Sequence, residues 1–264
     1  MRVDGLSVYP LKSGAAIAVA SASIGALGLD GDRRIMVVDR EGHFVTQRAH
    51  PRLALVRCGV DGARVAFAAP GRDALVVERA AGPRVKVEVW GDWVDAVVMA
   101  PALDAWMSAY LDRDVQVVAF ADDAVRPADP TYAAPDDRVA FADGFAILVT
   151  GTASLDALNQ RLAEPVPMDR FRPNIVVATT EPWVEDRWRR IRVGPVELAI
   201  IKPCGRCVTV NVDQARGVAA REPLRTLAAF RTFGSRVVFG QNAVPRGVGV
   251  VHLGDPVEVL ETGA

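Results

Sequence analysis

Two cysteines stand two residues apart in the segment "KPCGRCVTVNVD". This spacing is typical of a thiol-disulfide pair, of half a zinc site, or of a turn that presents one reactive thiolate. A thioredoxin-like motif places its first cysteine at the start of a helix, whereas "VELAIIKP" before Cys204 and "VTVNV" after Cys207 are typical of strands. The flanks therefore argue against a helix-borne redox pair. Lys202 and Arg206 supply charge that would lower a thiol pKa, and Gly205 leaves room for a close ligand.

Zinc is disfavoured by the positions of the remaining candidate ligands. A structural zinc site needs about four ligands and is usually completed by a second closely spaced Cys or His pair. The other candidates, Cys58, His43, His50 and His252, are scattered along the chain. Two ordinary small residues at a hairpin remain an alternative explanation for the pair, because a free cysteine packs like a small apolar side chain.

The segment "DRFRPNIVV" is a candidate anion clamp. Side chains alternate along a strand, so a strand here would place Arg170, Arg172 and Asn174 on one face and Phe171 on the other. Two guanidinium groups and an amide on one face suit a phosphate or a carboxylate, because arginine offers a planar fork of donors. A solvated face whose arginines pair with nearby carboxylates is the alternative.

The turn "TGTAS" is a second candidate anion site. Backbone N–H groups at a helix start, with the hydroxyls of Thr150, Thr152 and Ser154, could bind a phosphate. Asp156 in the first helical turn argues against this, because its carboxylate already interacts favourably with the positive end of the helix dipole. Plain N-capping by Ser154 is therefore the stronger interpretation of that residue.

Two cationic turns near the N-terminus are weaker candidates. The segment "YPLKSG" places Lys12 and Ser13 in a turn after a predicted strand, and "LDGDRR" places Arg33 and Arg34 in a turn that leads into one. Only three of the 31 basic residues are lysines, and two of those three, Lys12 and Lys202, fall in the candidate motifs. Ordinary surface loops would look the same.

Length and composition exclude several classes of protein. The 264 residues suffice for one large or two small domains, and half of the chain is hydrophobic with a net charge of −1. No strongly basic face is expected, so nucleic acid is excluded as the main partner. Three cysteines do not form a disulfide framework, and no apolar run reaches the ~18 residues of a membrane span. Residues 14–23 lack the leucines of a signal peptide. These features predict a soluble cytoplasmic protein that is not associated with a membrane.

The elements that must position the candidate residues are mostly short strands. β-rich runs broken by Asp-Gly, Glu-Gly and Pro-Gly turns fill the first ninety residues, with a hairpin predicted at "DREG". Helical spacing predicts one helix in "APALDAWMSAYLDRD", another after Ser154 and a short one near "REPLRTLAAFR". The acidic segment 121–138 is predicted to be a long surface loop. We therefore expect a mainly β (α+β) fold of barrels with a few helices.

Taken together and in order, these motifs resemble a known family. The segments "YPLKS", "GLDGDRRIMVVD", "G-x-F-V-T-Q-R", "LVTGTASLDALN", "RFRPNIVV", "EDRW", "KPCGRC" and "GDPVEVL" are similar to those of MOSC proteins with an N-terminal MOSC β-barrel domain. This group includes the mitochondrial amidoxime reducing component and its bacterial relatives. The resemblance implies two β-barrel-like domains, an N-terminal MOSC-associated domain over residues 1–118 and a MOSC β-barrel domain over residues 119–264.

The resemblance also implies a cofactor and a set of residues that bind it. The cofactor is molybdenum held by molybdopterin, with Cys207 as the catalytic thiolate ligand of the metal and Cys204 not a ligand. Soft thiolate ligands suit such a metal, and anion clamps suit a pterin phosphate. The cofactor-binding residues implied by the matching motifs are Lys12, Ser13, Arg33, Thr150, Thr152, Ser154, Arg172, Asn174, Gly205, Arg206 and Cys207.

The activity implied by the resemblance is the two-electron reduction of N-hydroxylated compounds such as hydroxylamines, amidoximes and N-hydroxylated bases. No cysteine follows Cys207, whereas an iron-sulfur cluster would need four, so we expect a separate reductase of flavin or ferredoxin type to supply electrons. A sulfur carrier that holds a persulfide on Cys207 is one alternative. A protein that binds or delivers the molybdenum cofactor is another.

Overall fold

The computed structural model of the chain describes residues 1–79 and 82–263. Strands of the first part are β1 (Arg2–Val8), β2 (Ile17–Ala18), β3 (Ser21–Gly25), β4 (Gly28–Leu29), β5 (Ile35–Val38), β6 (Arg57–Asp61), β7 (Arg64–Ala69), β8 (Arg72–Glu78), β9 (Arg84–Val89), β10 (Asp92–Val98) and β11 (Gln116–Phe120). Those of the second part are β12 (Ile147–Gly151), β13 (Ile175–Ala178), β14 (Trp188–Val193), β15 (Val196–Gly205), β16 (Val212–Asp213), β17 (Val218–Ala219), β18 (Thr232–Phe233), β19 (Arg236–Pro245), β20 (Gly249–His252) and β21 (Val257–Thr262). The predicted mainly β fold class is confirmed.

Helical elements are few and short. The α-helices are α1 (Pro101–Leu111), α2 (Thr152–Asn159) and α3 (Leu224–Phe230), and short 3-10 helices cover Pro51–Leu55, Met168–Phe171, Val184–Arg187 and Val208–Asn211. All three predicted helices are therefore present. Within the described residues, no helix combines the length and the apolar character needed to cross a membrane.

The largest sheet joins the two ends of the chain. Its strand order is β2-β1-β13-β12-β19-β15-β14-β21, with β18 paired to β19. Strand β1 runs antiparallel to β13, with Leu6 opposite Ile175, and β3 pairs with β20. Val3 and Leu6 thus share a buried core with Ile175 and Ile191 because the first strand is part of this sheet. A division of the chain near residue 118 stays a prediction.

A second core lies between α1 and the smaller sheets. The sheet β5-β11-β10-β9 and the sheet β6-β7-β8 are both formed within the first 120 residues. Leu103, Trp106 and Met107 point from α1 into this core, as their helical spacing predicts. The Asp104 carboxylate accepts the Val117 N–H at 2.8 Å and ties the helix to the strand that follows it.

Two loops differ in detail from the prediction. The turn at "DREG" forms, with the Asp39 N–H donating to the His43 carbonyl at 2.9 Å, but the second strand of the hairpin is reduced to isolated bridges at His43 and Phe44. The segment 121–138 is an irregular loop that is fastened by buried side chains. Arg126, within this segment, is buried with 3% of its surface exposed, and Asp137 pairs with Arg246.

Candidate functional site

A cavity of about 160 Å³ opens where the N-terminal turns meet the end of β15. Most of the predicted site residues line it: Lys12, Ser13, Arg33, Arg172, Asn174, Gly205, Arg206 and Cys207. Further lining residues are Thr46, Arg48, Asp143, Arg170, Cys204, Thr209 and Asn242. The lining is strongly cationic, since one lysine and five arginines face a single carboxylate among the described residues.

Cys207 is the exposed sulfur of this cavity. It lies just beyond the end of β15, and its Sγ is 3.2 Å from Oγ1 of Thr209. The strand predicted downstream of it is wrong: Val208–Asn211 forms a 3-10 helix. The β-branched sequence favours a strand locally, but Val210 is buried in a core cluster with Phe171 and Phe239, and this packing overrides the local preference.

Cys204 differs from Cys207 in both position and acidity. It lies within β15 and is half-buried. Burial raises the pKa of its thiol, although the nearby Arg206 guanidinium acts in the opposite direction. The predicted lowering of a thiol pKa is therefore wrong for Cys204. Lys202 does not act on the thiol pKa as expected, because its ammonium pairs with Asp129 at 3.0 Å.

Arg206 lines the cavity but is largely committed to the backbone. Its guanidinium donates to the Phe239 carbonyl at 2.7 and 2.9 Å and to the Phe171 carbonyl at 3.0 Å. Gly205 lies 3.6 Å or more from the Arg236 side chain, measured at the position a Cβ would take. Arg206 thus joins the segment that carries Cys207 to β19 and to the 3-10 helix at Met168–Phe171.

The predicted strand through Arg170–Asn174 is wrong, although its residues do meet at the cavity. Met168–Phe171 is a 3-10 helix, and Arg172 adopts a left-handed backbone conformation (φ 56°) before β13 begins. Phe171 also contributes to the cavity lining and stacks on Phe239 with ring centroids 3.8 Å apart. A tight turn rather than strand alternation therefore brings Arg170, Arg172 and Asn174 together.

Among the described lining residues, Arg172 and Arg48 each keep a buried side-chain nitrogen without a hydrogen-bond acceptor. Nη1 of Arg172 donates to the Gly14 carbonyl at 2.7 Å and to Oε1 of Gln214 at 3.2 Å, while its Nη2 is buried without a hydrogen-bond acceptor. Burial lowers the pKa of this guanidinium to about 10. A buried, unpaired donor is costly, and a hydrogen-bond acceptor that reached it would offset this cost.

Arg33 supports Arg172 from the N-terminal side. Its Nη1 bonds to Asp32 at 2.5 Å and to Oδ1 of Asn174 at 3.1 Å, and its Nη2 donates to the Arg172 carbonyl at 3.1 Å. The Tyr9 ring lies 4.3 Å from each guanidinium. Burial opposes the charge on Arg33, but Asp32 and other nearby groups together raise its pKa.

Lys12 is paired with Asp143, the one carboxylate among the lining residues that the structure describes. Its Nζ donates to the Phe141 carbonyl at 2.7 Å and to Oδ1 of Asp143 at 2.5 Å. Burial lowers the pKa of Lys12, although Asp143 acts to raise it. Desolvation by the surrounding protein would raise the pKa of the Asp143 carboxyl, but Lys12, Trp90 and Arg48 hold it below its usual range. Asp143 is therefore ionised at neutral pH.

The structure does not bring the "TGTAS" residues into the cavity. Thr150 is buried, the Thr152 hydroxyl donates to the Thr179 carbonyl at 3.3 Å, and Ser154 donates to Oε2 of Glu185 at 2.8 Å. The predicted N-cap at Ser154 is wrong, because α2 already begins at Thr152. The buried Glu185 carboxylate accepts the Gly151 N–H at 3.2 Å, so it takes the place that a bound anion would have at this helix start.

Sequence reasoning missed several lining residues. Thr46 and Arg48 lie within the quoted motif G-x-F-V-T-Q-R, so a signal for them was present. Asp143 and Asn242 lie in no motif, and the fold alone brings them to the cavity.

The chain matches two family models in succession, one for an N-terminal β-barrel domain and one for a MOSC domain. Residues 1–114 match the family described as "MOSC N-terminal beta barrel domain", and residues 136–258 match "MOSC domain". The chain is 34% identical over 272 residues to "Mitochondrial amidoxime-reducing component 1" of Danio rerio. This alignment covers 97% of this chain and 83% of that protein. The chain belongs to the MOSC family, as its motifs predicted.

Two further relatives support the same assignment. The human protein of the same name is 32% identical, with 98% of this chain and 82% of that protein covered. "Mitochondrial amidoxime reducing component 2" of Bos taurus is 31% identical, with 97% and 82% covered. These names contradict the predicted cytoplasmic location, which was wrong. It rested on free cysteines and on the composition of residues 14–23, and cysteine content reports redox conditions rather than an organelle.

Proposed function

We propose that the chain is a molybdenum-cofactor-dependent oxidoreductase that reduces N-hydroxylated compounds. The observation that carries this proposal is the presence in one cavity of an exposed thiol, Cys207, and of a buried guanidinium, Arg172, whose Nη2 has no hydrogen-bond acceptor. A thiolate is a suitable ligand for a sulfur-bound transition metal, and a buried guanidinium suits the phosphate of a pterin. The names of the curated relatives support the reductive activity.

Some lining residues would bind the cofactor directly, and others would shape the cavity around it. Cys207 would bind the metal, and Arg172 would bind an anionic group of the pterin through its unpaired Nη2, with Ser13 nearby in a left-handed turn (φ 64°). The supporting residues Lys12, Arg33, Asn174, Gly205 and Arg206 would shape the cavity around it. Thr150, Thr152 and Ser154 are not included in the proposed site, because their hydroxyls are engaged elsewhere. When bound, the cofactor supplies two-electron redox chemistry.

The proposed reaction cleaves the N–O bond of the substrate. Two electrons and two protons convert the N–OH group to N–H and release the oxygen as water. A separate reductase of flavin or ferredoxin type supplies the electrons. The protein contributes by binding and orienting the substrate beside the thiolate-bound metal and by enclosing it in a charged cavity.

The test is to purify the protein from a host that makes the molybdenum cofactor. We expect about one molybdenum and one releasable pterin per chain, and reduction of benzamidoxime with a chemical electron donor but not with NADH alone. Well-folded protein that contains zinc or no metal would contradict the proposal. Cyanide-labile sulfur without turnover would instead identify a sulfur carrier, and bound cofactor without turnover would identify a delivery protein.

A further inference from the structure

A second cavity, of about 570 Å³, lies where the turn after β1, the hairpin of β6 and β7, and the turn after β16 meet. It shares no lining residue with the cavity proposed to hold the cofactor. Six alanines, Leu55 and Pro70 form most of its lining, and the charged residues among the described lining residues are Asp169 and Arg57. The cavity therefore combines apolar walls with one charged group of each sign.

Asp169 has no ion-pair partner among the described residues. The Arg170 guanidinium pairs with Asp213 at 3.3 Å instead, and Arg172 donates to the Gly14 carbonyl at 2.7 Å. Oδ1 of Asp169 is buried without a hydrogen-bond partner. Burial raises the pKa of this carboxyl, although Arg170 and Arg172 act to lower it. The neighbouring cations therefore do not fully offset the burial of the carboxylate, and an ammonium group in the cavity would offset more of it.

Arg57 supplies the opposite charge. Cys58 and Phe67 lie opposite each other in β6 and β7, and both are buried in the core beside α1. Because side chains alternate along a strand, Arg57 and its cross-strand neighbour Ala68 point to the other face of the hairpin, where they line the cavity. Within the described part of the chain, Arg57 forms no ion pair, not even with Asp169. A ligand that lies between the two groups can therefore engage both.

The remaining polar side chains of the cavity are already held by the protein. Gln214 accepts a hydrogen bond from Nη1 of Arg172 at 3.2 Å and donates to Oε1 of Gln47 at 3.0 Å. The Tyr9 hydroxyl donates to the Pro173 carbonyl at 3.1 Å, and its ring lies 4.3 Å from the Arg172 guanidinium. These walls are thus formed before a ligand arrives, which lowers the entropic cost of binding.

We infer that this cavity binds a free α-amino acid with an apolar side chain. The ammonium group donates to the Asp169 carboxylate, the carboxylate of the ligand accepts from Arg57, and the apolar side chain packs against the alanines and Leu55. An α-amino acid suits the cavity because it carries both charges on one carbon atom. A ligand with a charge of one sign leaves either Asp169 or Arg57 unpaired. The site is separate from the proposed function and does not depend on it.

The test measures the affinities of three ligands for the full-length protein by calorimetry. L-Leucine carries both charged groups, isopentylamine lacks the carboxylate, and 4-methylpentanoate lacks the ammonium group. We expect leucine to bind about tenfold or more tightly than either of the others, because each of them loses a charge-assisted hydrogen bond. Asp169→Asn should remove the advantage of leucine over 4-methylpentanoate, and Arg57→Gln should remove its advantage over isopentylamine.

Three further variants serve as controls. Asp122 is an exposed carboxylate near Arg79, and Arg64 is an exposed arginine at the other end of the hairpin that carries Arg57. Asp122→Asn and Arg64→Gln should leave all three affinities within about twofold of those of the unmodified protein. Ala68→Leu keeps both charged groups but fills part of the cavity, so it should weaken the binding of all three ligands. Thermal unfolding of each variant shows that it is folded.

Three results would overturn the inference. The first is the absence of leucine binding at about 10 mM ligand, a concentration at which even very weak complexes form. The second is equal binding of leucine and either single-charge ligand. The third is leucine affinity that is unchanged in folded Asp169→Asn or Arg57→Gln protein. None of these measurements uses turnover or the metal, so they leave the proposed function unaffected.

Discussion

The charged residues of the cavity divide into those that hold the fold and those that are available to a ligand. Arg206 is satisfied by two backbone carbonyls, and Lys12 by a carbonyl and a carboxylate. Arg172 retains a buried nitrogen without an acceptor, and Cys207 is exposed. Substitutions at the first pair should act mostly on stability, whereas substitutions at the second should act mostly on ligand binding.

The two cysteines are predicted to be unequal in function. Cys207→Ala should abolish reduction of benzamidoxime and the spectroscopic signature of thiolate-bound molybdenum, because the exposed sulfur is the proposed ligand. Cys204→Ala should retain most of the activity, since this half-buried thiol has a raised pKa and remains protonated. Turnover and metal content of the two variants, purified in parallel, provide the measurement. Equal loss in both would instead point to a cooperating dithiol and to the sulfur-carrier alternative.

Substitutions at Arg172 and at its neighbour Phe171 are predicted to affect different properties, cofactor occupancy and stability respectively. Arg172→Ala removes a charge-assisted contact of about 1.5–3 kcal/mol to the cofactor, so molybdenum occupancy should fall at limiting cofactor. Phe171→Ala removes a ring that stacks on Phe239 and should lower the free energy of unfolding by about 3–5 kcal/mol. Metal analysis and denaturant unfolding of both variants test this. Full occupancy in Arg172→Ala would show that the guanidinium serves only the turn around Gly14.

At the scale of secondary structure, periodic segments were predictable and irregular ones were not. The apolar spacing in α1 and the β-branched runs of the sheets follow directly from sequence. The segments 168–171 and 208–211 also look like strands, but both form 3-10 helices because Phe171 and Val210 pack into one core cluster. Motif resemblance selected eight of the described lining residues. Asp143 instead depends on contacts between distant segments that no local pattern encodes.

The start of α2 provides a test of residues that the motifs assign to the cofactor site but whose hydroxyls bond within the protein. Ser154 donates to the buried carboxylate of Glu185 and accepts the Trp183 N–H at 2.8 Å. Ser154→Ala should therefore lower the free energy of unfolding by about 1–3 kcal/mol while molybdenum content per folded chain stays unchanged. Ser13→Ala is the matched substitution in the cavity and should show the reverse pattern, with lower occupancy and little change in stability. Loss of molybdenum in Ser154→Ala would instead show that the "TGTAS" turn contributes to cofactor binding.

At the scale of the whole molecule, the cavity depends on both ends of the sequence. Lys12 and Arg33 come from the first 40 residues, whereas Arg172 and Cys207 come from the second half of the chain. The same is true of the largest sheet, in which β1 lies between β2 and β13. The fold therefore couples assembly of the site to assembly of the core.

This coupling predicts that the second half of the chain does not fold alone. A fragment of residues 119–264 lacks β1 and β3, so the edge of β13 and a core that includes Val3, Leu6 and Val8 in the intact chain would be exposed. We expect this fragment to show no cooperative thermal transition and to bind no molybdenum. The same fragment carrying residues 1–40 through a flexible linker should recover part of the protected amide hydrogens of β13, measured by hydrogen exchange. Cooperative unfolding of residues 119–264 by themselves would show instead that the N-terminal strands only dock onto a domain that is already complete.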